Sequence, residues 1–249
     1  MVTSNASHID ALESEVHVWL ARPDDMTDTR HLADCIAMLC GAERERYLRF
    51  RFEQDRHLFL VAHVLLRRVL SCYIDVDPAD WRFVSGIHGR PEILSPVSPV
   101  KLRFNLSHTG GLAACVVTLE NACGIDVERI DKRPRMRAIA ARLFADPEQR
   151  DLHALEGTEG YQDRFFTYWT LREAWYKALG TGLAHADRSI WFELDRHETV
   201  RMRGAAGAGG VDGFWHCAVL KPTAVHRLAI AVRSTDGFDK PVVCRFVDA

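Results

Sequence analysis

The chain predicts an α+β protein of two pseudo-symmetric halves with its active site in the cleft between them, and three observations point that way. Hydrophobic periods of two and of three to four alternate within each half instead of collecting in separate regions. The order strand, helices, strands occurs twice, which divides the chain into residues 1–122 and 123–249. With 249 residues, 47% hydrophobic and 27% charged, the chain can bury one large core or two smaller ones without covalent staples.

In the first half, Val16 to Leu20 reads as a short strand and His31 to Cys40 as a helix closed by Gly41. Glu43 to Phe50 and Gln54 to Tyr73 continue helically, with Leu58, Val61, Leu65 and Val69 recurring at spacings of three and four. Trp81 to Ser85, Leu102 to Leu106 and Leu112 to Leu119 read as strands, separated by GIHGRP and the proline-rich SPVSPV.

The second half opens with a strand at Cys123 to Glu128 and a helix from Met136 to Phe144. A further helix starts at Asp146, whose side chain is expected to cap it while Pro147 occupies the first turn. A long helix from Gln162 to Leu179 stops at Gly180. Strands follow at Ile190 to Leu194, Phe214 to Leu220 and Arg227 to Val232, with GAAGAGGVDG as a mobile hairpin or loop.

A formal net charge of -2 and a pI near 6.6 give no bulk attraction for nucleic acid or anionic lipid. Arg supplies 27 of the 32 cations. Arginine suits forked contacts to carboxylate and phosphate, although a GC-rich genome produces the same bias. The seven cysteines are odd in number and never spaced C-x-x-C, which argues against a disulfide framework and a zinc site. The N-terminal twenty residues have neither a basic start nor an apolar run, so they do not read as a signal peptide, and no later stretch is apolar for the length a bilayer requires. A cytoplasmic protein is expected, with no nucleic acid or membrane partner.

Chemistry concentrates in three segments: FNLSHTGG (104–111), GIDVE (124–128) and WTLREAWYKALGTGL (169–183). Asp126 and Glu128 leave the same face of a strand, where two carboxylates repel by roughly 4 kcal/mol at about 4 Å and an effective dielectric near 20. A cation belongs there, unless that face is simply wet. Glu173 and Lys177 lie one helical turn apart and, taken alone, describe a surface ion pair. Trp169, Ala174, Trp175 and Leu179 make that helix largely apolar, so its charges need partners. If the helix faces the GIDVE strand, Glu173 becomes a third hard oxygen ligand beside Asp126 and Glu128, a set suited to magnesium. Ser107 and His108 are neighbours on a strand and point to opposite faces, which makes them poor as nucleophile and base. His108 is better read as a phosphate or amide donor, or as a structural turn histidine.

Together the pattern N-x-S-H, then G-I-D-x-E, then W-x-x-x-E-A-x-x-K followed by G-x-G-L resembles the Sfp-type 4'-phosphopantetheinyl transferases, the Sfp/Gsp/HetI superfamily, over about residues 43 to 183. The resemblance implies two similar α+β halves with coenzyme A in the cleft between them. It implies Mg2+-dependent transfer of the 4'-phosphopantetheine arm to a serine of an apo acyl or peptidyl carrier protein, releasing adenosine 3',5'-bisphosphate. By position, Asp126, Glu128 and Glu173 match the metal carboxylates, Lys177 the lysine on the pyrophosphate, and Ser107 and His108 the residues that hold the coenzyme. Arg46 resembles a coenzyme-phosphate ligand, or belongs to a solvated basic face with Arg44, Arg49 and Arg51. Gly89, Arg90 and Pro91 resemble the turn at the adenosine end. Glu148 matches the F-x-x-x-E glutamate, a candidate general base, or is a first-turn acid favoured by the helix dipole.

Arg172 replaces the usual lysine before the motif glutamate and Thr181 replaces a lysine in G-K-G-L, which bears on coenzyme affinity and carrier preference. A binding protein that has lost catalysis would show damaged metal carboxylates, whereas all three are present. A two-metal phosphodiesterase would need further ligands at metal spacing, and the twelve histidines are scattered. Leu143 to Leu155 and the segment after Lys177 are the expected carrier-docking surface. A monomer is expected, because one chain contains both halves.

Overall fold

A computed structural model describes residues 5–86, 90–98, 100–131, 135–182, 187–204, 213–234, 237 and 239–247. The chain forms two units, Met1–Glu120 with Lys240–Ala249, and Asn121–Asp239.

The first unit begins with α1 (Asn5–Ala11) and β1 (Val16–Ala21), followed by α2 (Thr29–Met38), α3 (Gly41–Arg49) and α4 (Glu53–Ser71). Asp28 caps α2 by accepting from the Arg30 amide at 2.9 Å. A ribbon of β2 (Arg82–Ser85) and β3 (Pro91–Ser95) then leads to β4 (Leu102–Thr109) and β5 (Leu112–Leu119). β5 lies between β1 and β4, antiparallel to both. Most of the apolar stripe expected on α4 is its core face: Val61, Leu65 and Val69 are buried against Ala113, Cys115 and Val117 of β5 in one cluster, while Leu58 is half-buried outside it. Excluding that surface from water is what drives the pairing of helix and sheet.

The second unit repeats this order. It runs β6 (Cys123–Arg129), α5 (Met136–Leu143), α6 (Asp146–Ala154) and α7 (Gly160–Leu179). The ribbon β7 (Ile190–Leu194) and β8 (Val200–Gly204) follows, then β9 (Phe214–Leu220) and β10 (His226–Ser234). Here β10 lies between β6 and β9, antiparallel to both. The strand order β6-β10-β9 therefore matches β1-β5-β4, and α7 stands where α4 stands. α7 buries Phe166, Leu171, Ala174 and Ala178 in one cluster with Ala229 and Ala231 of β10, and Gly180, with φ of 74°, ends it.

The structure differs from the sequence expectation at several places, beginning with α1, which was not expected. The division into 1–122 and 123–249 misplaces the tail, because β11 (Val242–Phe246) returns to pair in parallel with β1, Val16 opposite Val242. No local period announces a partner so far away in sequence. Pro91 opens a strand instead of ending a turn, a position where its missing N–H costs no ladder bond. Asp146 does not cap α6: the N-cap is Ala145, whose amide donates to Glu148 at 2.8 Å. Finally, β8 was not expected from its short alternating segment. Residues 205–212 of the expected glycine-rich loop lie outside the described residues.

Candidate active site

In the second unit, strand β6 and helix α7 bring the acidic motifs together. Their approach requires Gly124: a Cβ there would meet the Ala174 carbonyl oxygen at 2.0 Å and the Ala178 amide nitrogen at 2.6 Å. With strand and helix this close, positions 169, 173 and 177, spaced by one turn on α7, work against positions 126 and 128 on β6. At one end Trp169 Nε1 donates to Glu128 at 3.0 Å. At the other, Lys177 Nζ donates to Asp126 at 2.7 Å and to the Ile125 carbonyl at 3.1 Å. Glu173 sits in the field of both acids. Burial, then the charges of Asp126 and Glu128, push its carboxyl up to about 7 against the pull of Lys177.

Three carboxylates in mutual repulsion fit a hard divalent cation chemically. Among the described residues they do not converge as a ready-made metal cage, and the Lys177 ammonium pairs with Asp126.

Of the two readings of Glu148, the structure shows the first-turn acid of α6. Its side chain is shut off from water, accepts from Arg172 Nη2 at 2.5 Å and Nε at 3.2 Å, and also takes the amides of Ala145 and Phe192. Burial pushes its carboxyl above the ordinary value, against Arg172 and the two amides. A general base needs reach to its proton donor, and this carboxylate is committed to holding α6, α7 and β7 together. Arg172, equally buried, also donates to the Ile190 carbonyl at 2.8 Å. Its planar fork serves this bond network.

The first unit holds a pocket of about 330 Å3 that gathers Arg46, Pro91 and His108 from three separate segments of sequence, with Phe59, Phe83 and Leu106 as apolar walls. Ser107 is buried and does not line it, as its place one residue from His108 requires. Arg90 turns instead to the Phe104 carbonyl, at 3.1 Å, and Gly89 lies outside the described residues. A larger hollow of about 620 Å3, lined by Ile93, Pro96, Lys101 and Arg103, contains none of the motif residues. Sequence reasoning missed His63 and Glu43, which also line the Arg46 pocket. Glu43 stood in plain view in the charge-rich ERER run, but nothing local marks it as half-buried and paired with Arg67.

A twice-repeated α+β unit with three acids and a lysine in one half, and arginine and histidine lining a pocket in the other, has the side chains suited to handling phosphate. The family models agree. One described as 4'-phosphopantetheinyl transferase superfamily matches residues 122–232, and one described as 4'-phosphopantetheinyl transferase, N-terminal, matches 26–120. The 4'-phosphopantetheinyl transferase HetI of Nostoc sp. is 34% identical over 84% of this chain and 95% of its own. The 4'-phosphopantetheinyl transferase Sfp of Bacillus subtilis is 34% identical over 68% and 77%, and a phosphopantetheinyl transferase of Thraustochytrium sp. is 28% identical over 91% and 82%. The chain belongs to the 4'-phosphopantetheinyl transferase superfamily and is an enzyme of that kind. The two family matches meet where the two units meet.

Proposed function

We propose that the enzyme moves the 4'-phosphopantetheine arm of coenzyme A onto a serine of an apo acyl or peptidyl carrier protein, with Mg2+, releasing adenosine 3',5'-bisphosphate. The observation that carries this reading is the coupling of Glu173 with Asp126 and Glu128 beside Lys177. Asp126, Glu128 and Glu173 would hold the ion, which when bound neutralises charge on the pyrophosphate oxygens.

The protein's own side chains supply the rest. Lys177 leaves Asp126 for the pyrophosphate, exchanging one anion for another at small cost, and offsets charge on the leaving group. With Glu148 committed elsewhere, Glu173 is the carboxylate that accepts the serine proton, directly or through water. In the first unit, Arg46, His108 and Pro91 hold the nucleotide end of the coenzyme. Most of the acceleration comes from fixing these charges in place before the reaction.

No helix among the described residues is long and apolar enough to cross a membrane, and none of the seven cysteines is disulfide-bonded. The free thiols suit a reducing compartment, and the proposed setting is the cytoplasm, with the chain acting as a monomer because it contains both halves. Mass spectrometry of purified apo-carriers incubated with coenzyme A and Mg2+ tests the reading: each true substrate gains the mass of one phosphopantetheine arm. Carriers of fatty-acid, polyketide and peptide type that all stay unmodified would refute it.

A further inference from the structure

The pocket of the first unit contains a histidine that no motif singles out. His63 follows Phe59 by one turn on α4, and the two rings lie with centroids 4.0 Å apart. Its Nδ1 is 2.9 Å from Glu43 Oε1. The Glu43 carboxyl is held at about 2: burial would raise it, but hydrogen bonds from His63 and Arg67 and the charge of Arg67 outweigh burial. An ionised carboxylate only accepts, so Nδ1 carries the hydrogen and Nε2 is the polar atom left to the ring. His63 Nε2 makes no hydrogen bond among the described residues.

Glu43 itself has nothing left to offer a ligand. Its Oε1 takes His63 and Arg67 Nη1, the latter at 3.1 Å, and its Oε2 takes Arg67 Nη2 and the Cys40 amide. The acid of this pocket is therefore both neutralised and saturated. What faces the space is apolar wall together with Arg46, whose guanidinium lies 5.3 Å from the Phe59 ring centroid, His63 and His108. Nitrogen-bearing side chains without an unsatisfied acid select an anion.

We infer that His63 is a phosphate-binding residue: its Nε2 joins Arg46 and His108 around the 3'-phosphomonoester of coenzyme A, with Glu43 and Arg67 as positioning residues behind it. This rests on reading the pocket as the nucleotide site. A phosphomonoester gains or loses its last proton near neutrality, so it can meet Nε2 as donor or as acceptor.

The test compares KM for coenzyme A and for 3'-dephospho-coenzyme A in wild type, His63→Asn, His63→Gln and Arg46→Ala. Asparagine keeps an N–H where Nδ1 meets Glu43 but ends short of Nε2, and glutamine reaches the Nε2 position. His63→Asn should raise KM for coenzyme A about tenfold, the loss of one charge-assisted bond. It should leave KM for the dephospho form within about twofold, and His63→Gln should recover part of the difference. A purely structural role would raise both KM values together and would overturn the inference. So would Arg46→Ala raising KM for coenzyme A while both His63 variants match wild type, with the pocket reading intact. If none of the three variants changes either KM, the pocket is not the nucleotide site and both readings fall.

Discussion

Glu148 and Arg172 face each other with both side chains buried, 24 positions apart in the chain. Glu43 and Arg67 of the first unit make the same bond at the same separation. In each unit the glutamate is the third residue of a short helix, α3 or α6, and accepts the amide of the residue before that helix, Cys40 or Ala145. In each, the arginine comes from the long helix that follows. The pair is a recurring brace between two helices. Removing one partner leaves a buried charge without compensation, so Arg172→Ala and Glu148→Ala should each cost about 3–5 kcal/mol in urea denaturation. Glu148→Gln should lose stability before it loses turnover. A Glu148→Gln enzyme that denatures like wild type yet has no activity would restore Glu148 to the reaction.

Gly124 explains why the GIDVE strand carries a glycine. A methyl group at that position overlaps backbone atoms of α7, which cannot rotate aside as a side chain would. Gly124→Ala should cost about 2 kcal/mol or more and, by pushing the helix off the strand, weaken the Lys177–Asp126 contact. Thermal melting together with KM for coenzyme A checks this; unchanged values in both would show that strand and helix are not in direct apposition.

Much of this was legible because local patterns coincide with tertiary ones. The α4 stripe, the strand from Leu112 to Leu119 and the Gly180 stop depend on periods and backbone preferences that neighbouring residues carry. The acids were legible as well, since i and i+2 on β6 share a face and Glu173 and Lys177 share a turn of α7. What stayed hidden depends on contacts distant in sequence. β11 pairs with the first strand of the chain, and Glu148 reads like any first-turn acid until Arg172 and the Phe192 amide close over it. Arg172 likewise reads as a neighbour of Glu173, when the helix turns it to the opposite task.

Acid should act on the first unit through Glu43. Its folded pKa of about 2 lies below its ordinary 4.5, so its bonds stabilise the protein fully above that value and are lost as pH falls from about 4.5 towards 2. The stability difference between wild type and Glu43→Gln should therefore be largest near neutrality and shrink across that window. Urea denaturation of both proteins from pH 6 to pH 3 measures it, and a difference independent of pH would mean that Glu43 is not ionised in the native state.

Glu173 runs the other way. Its folded pKa of about 7 lies above the ordinary 4.5, so between these values the native state binds the extra proton and stability falls as pH rises. Glu173→Gln removes the charge without changing the shape. In metal-free protein the variant should match wild type near pH 5 and exceed it near pH 8 by on the order of 1–2 kcal/mol, the full shift discounted for partial exposure. Adding Mg2+ should reverse the order, because an ion that binds the native state stabilises it more the tighter it binds, and the glutamine supplies no charge to hold it. The gain in melting temperature of wild type with Mg2+ should grow from pH 6 to pH 8 as Glu173 loses its proton to solvent and its carboxylate becomes available to the ion. Asp126→Ala should abolish both that gain and the transfer while leaving the metal-free fold intact, since it relieves the repulsion on Glu173. Full turnover in Asp126→Ala, or an Mg2+ response equal in wild type and Glu173→Gln, would remove these acids from the metal site.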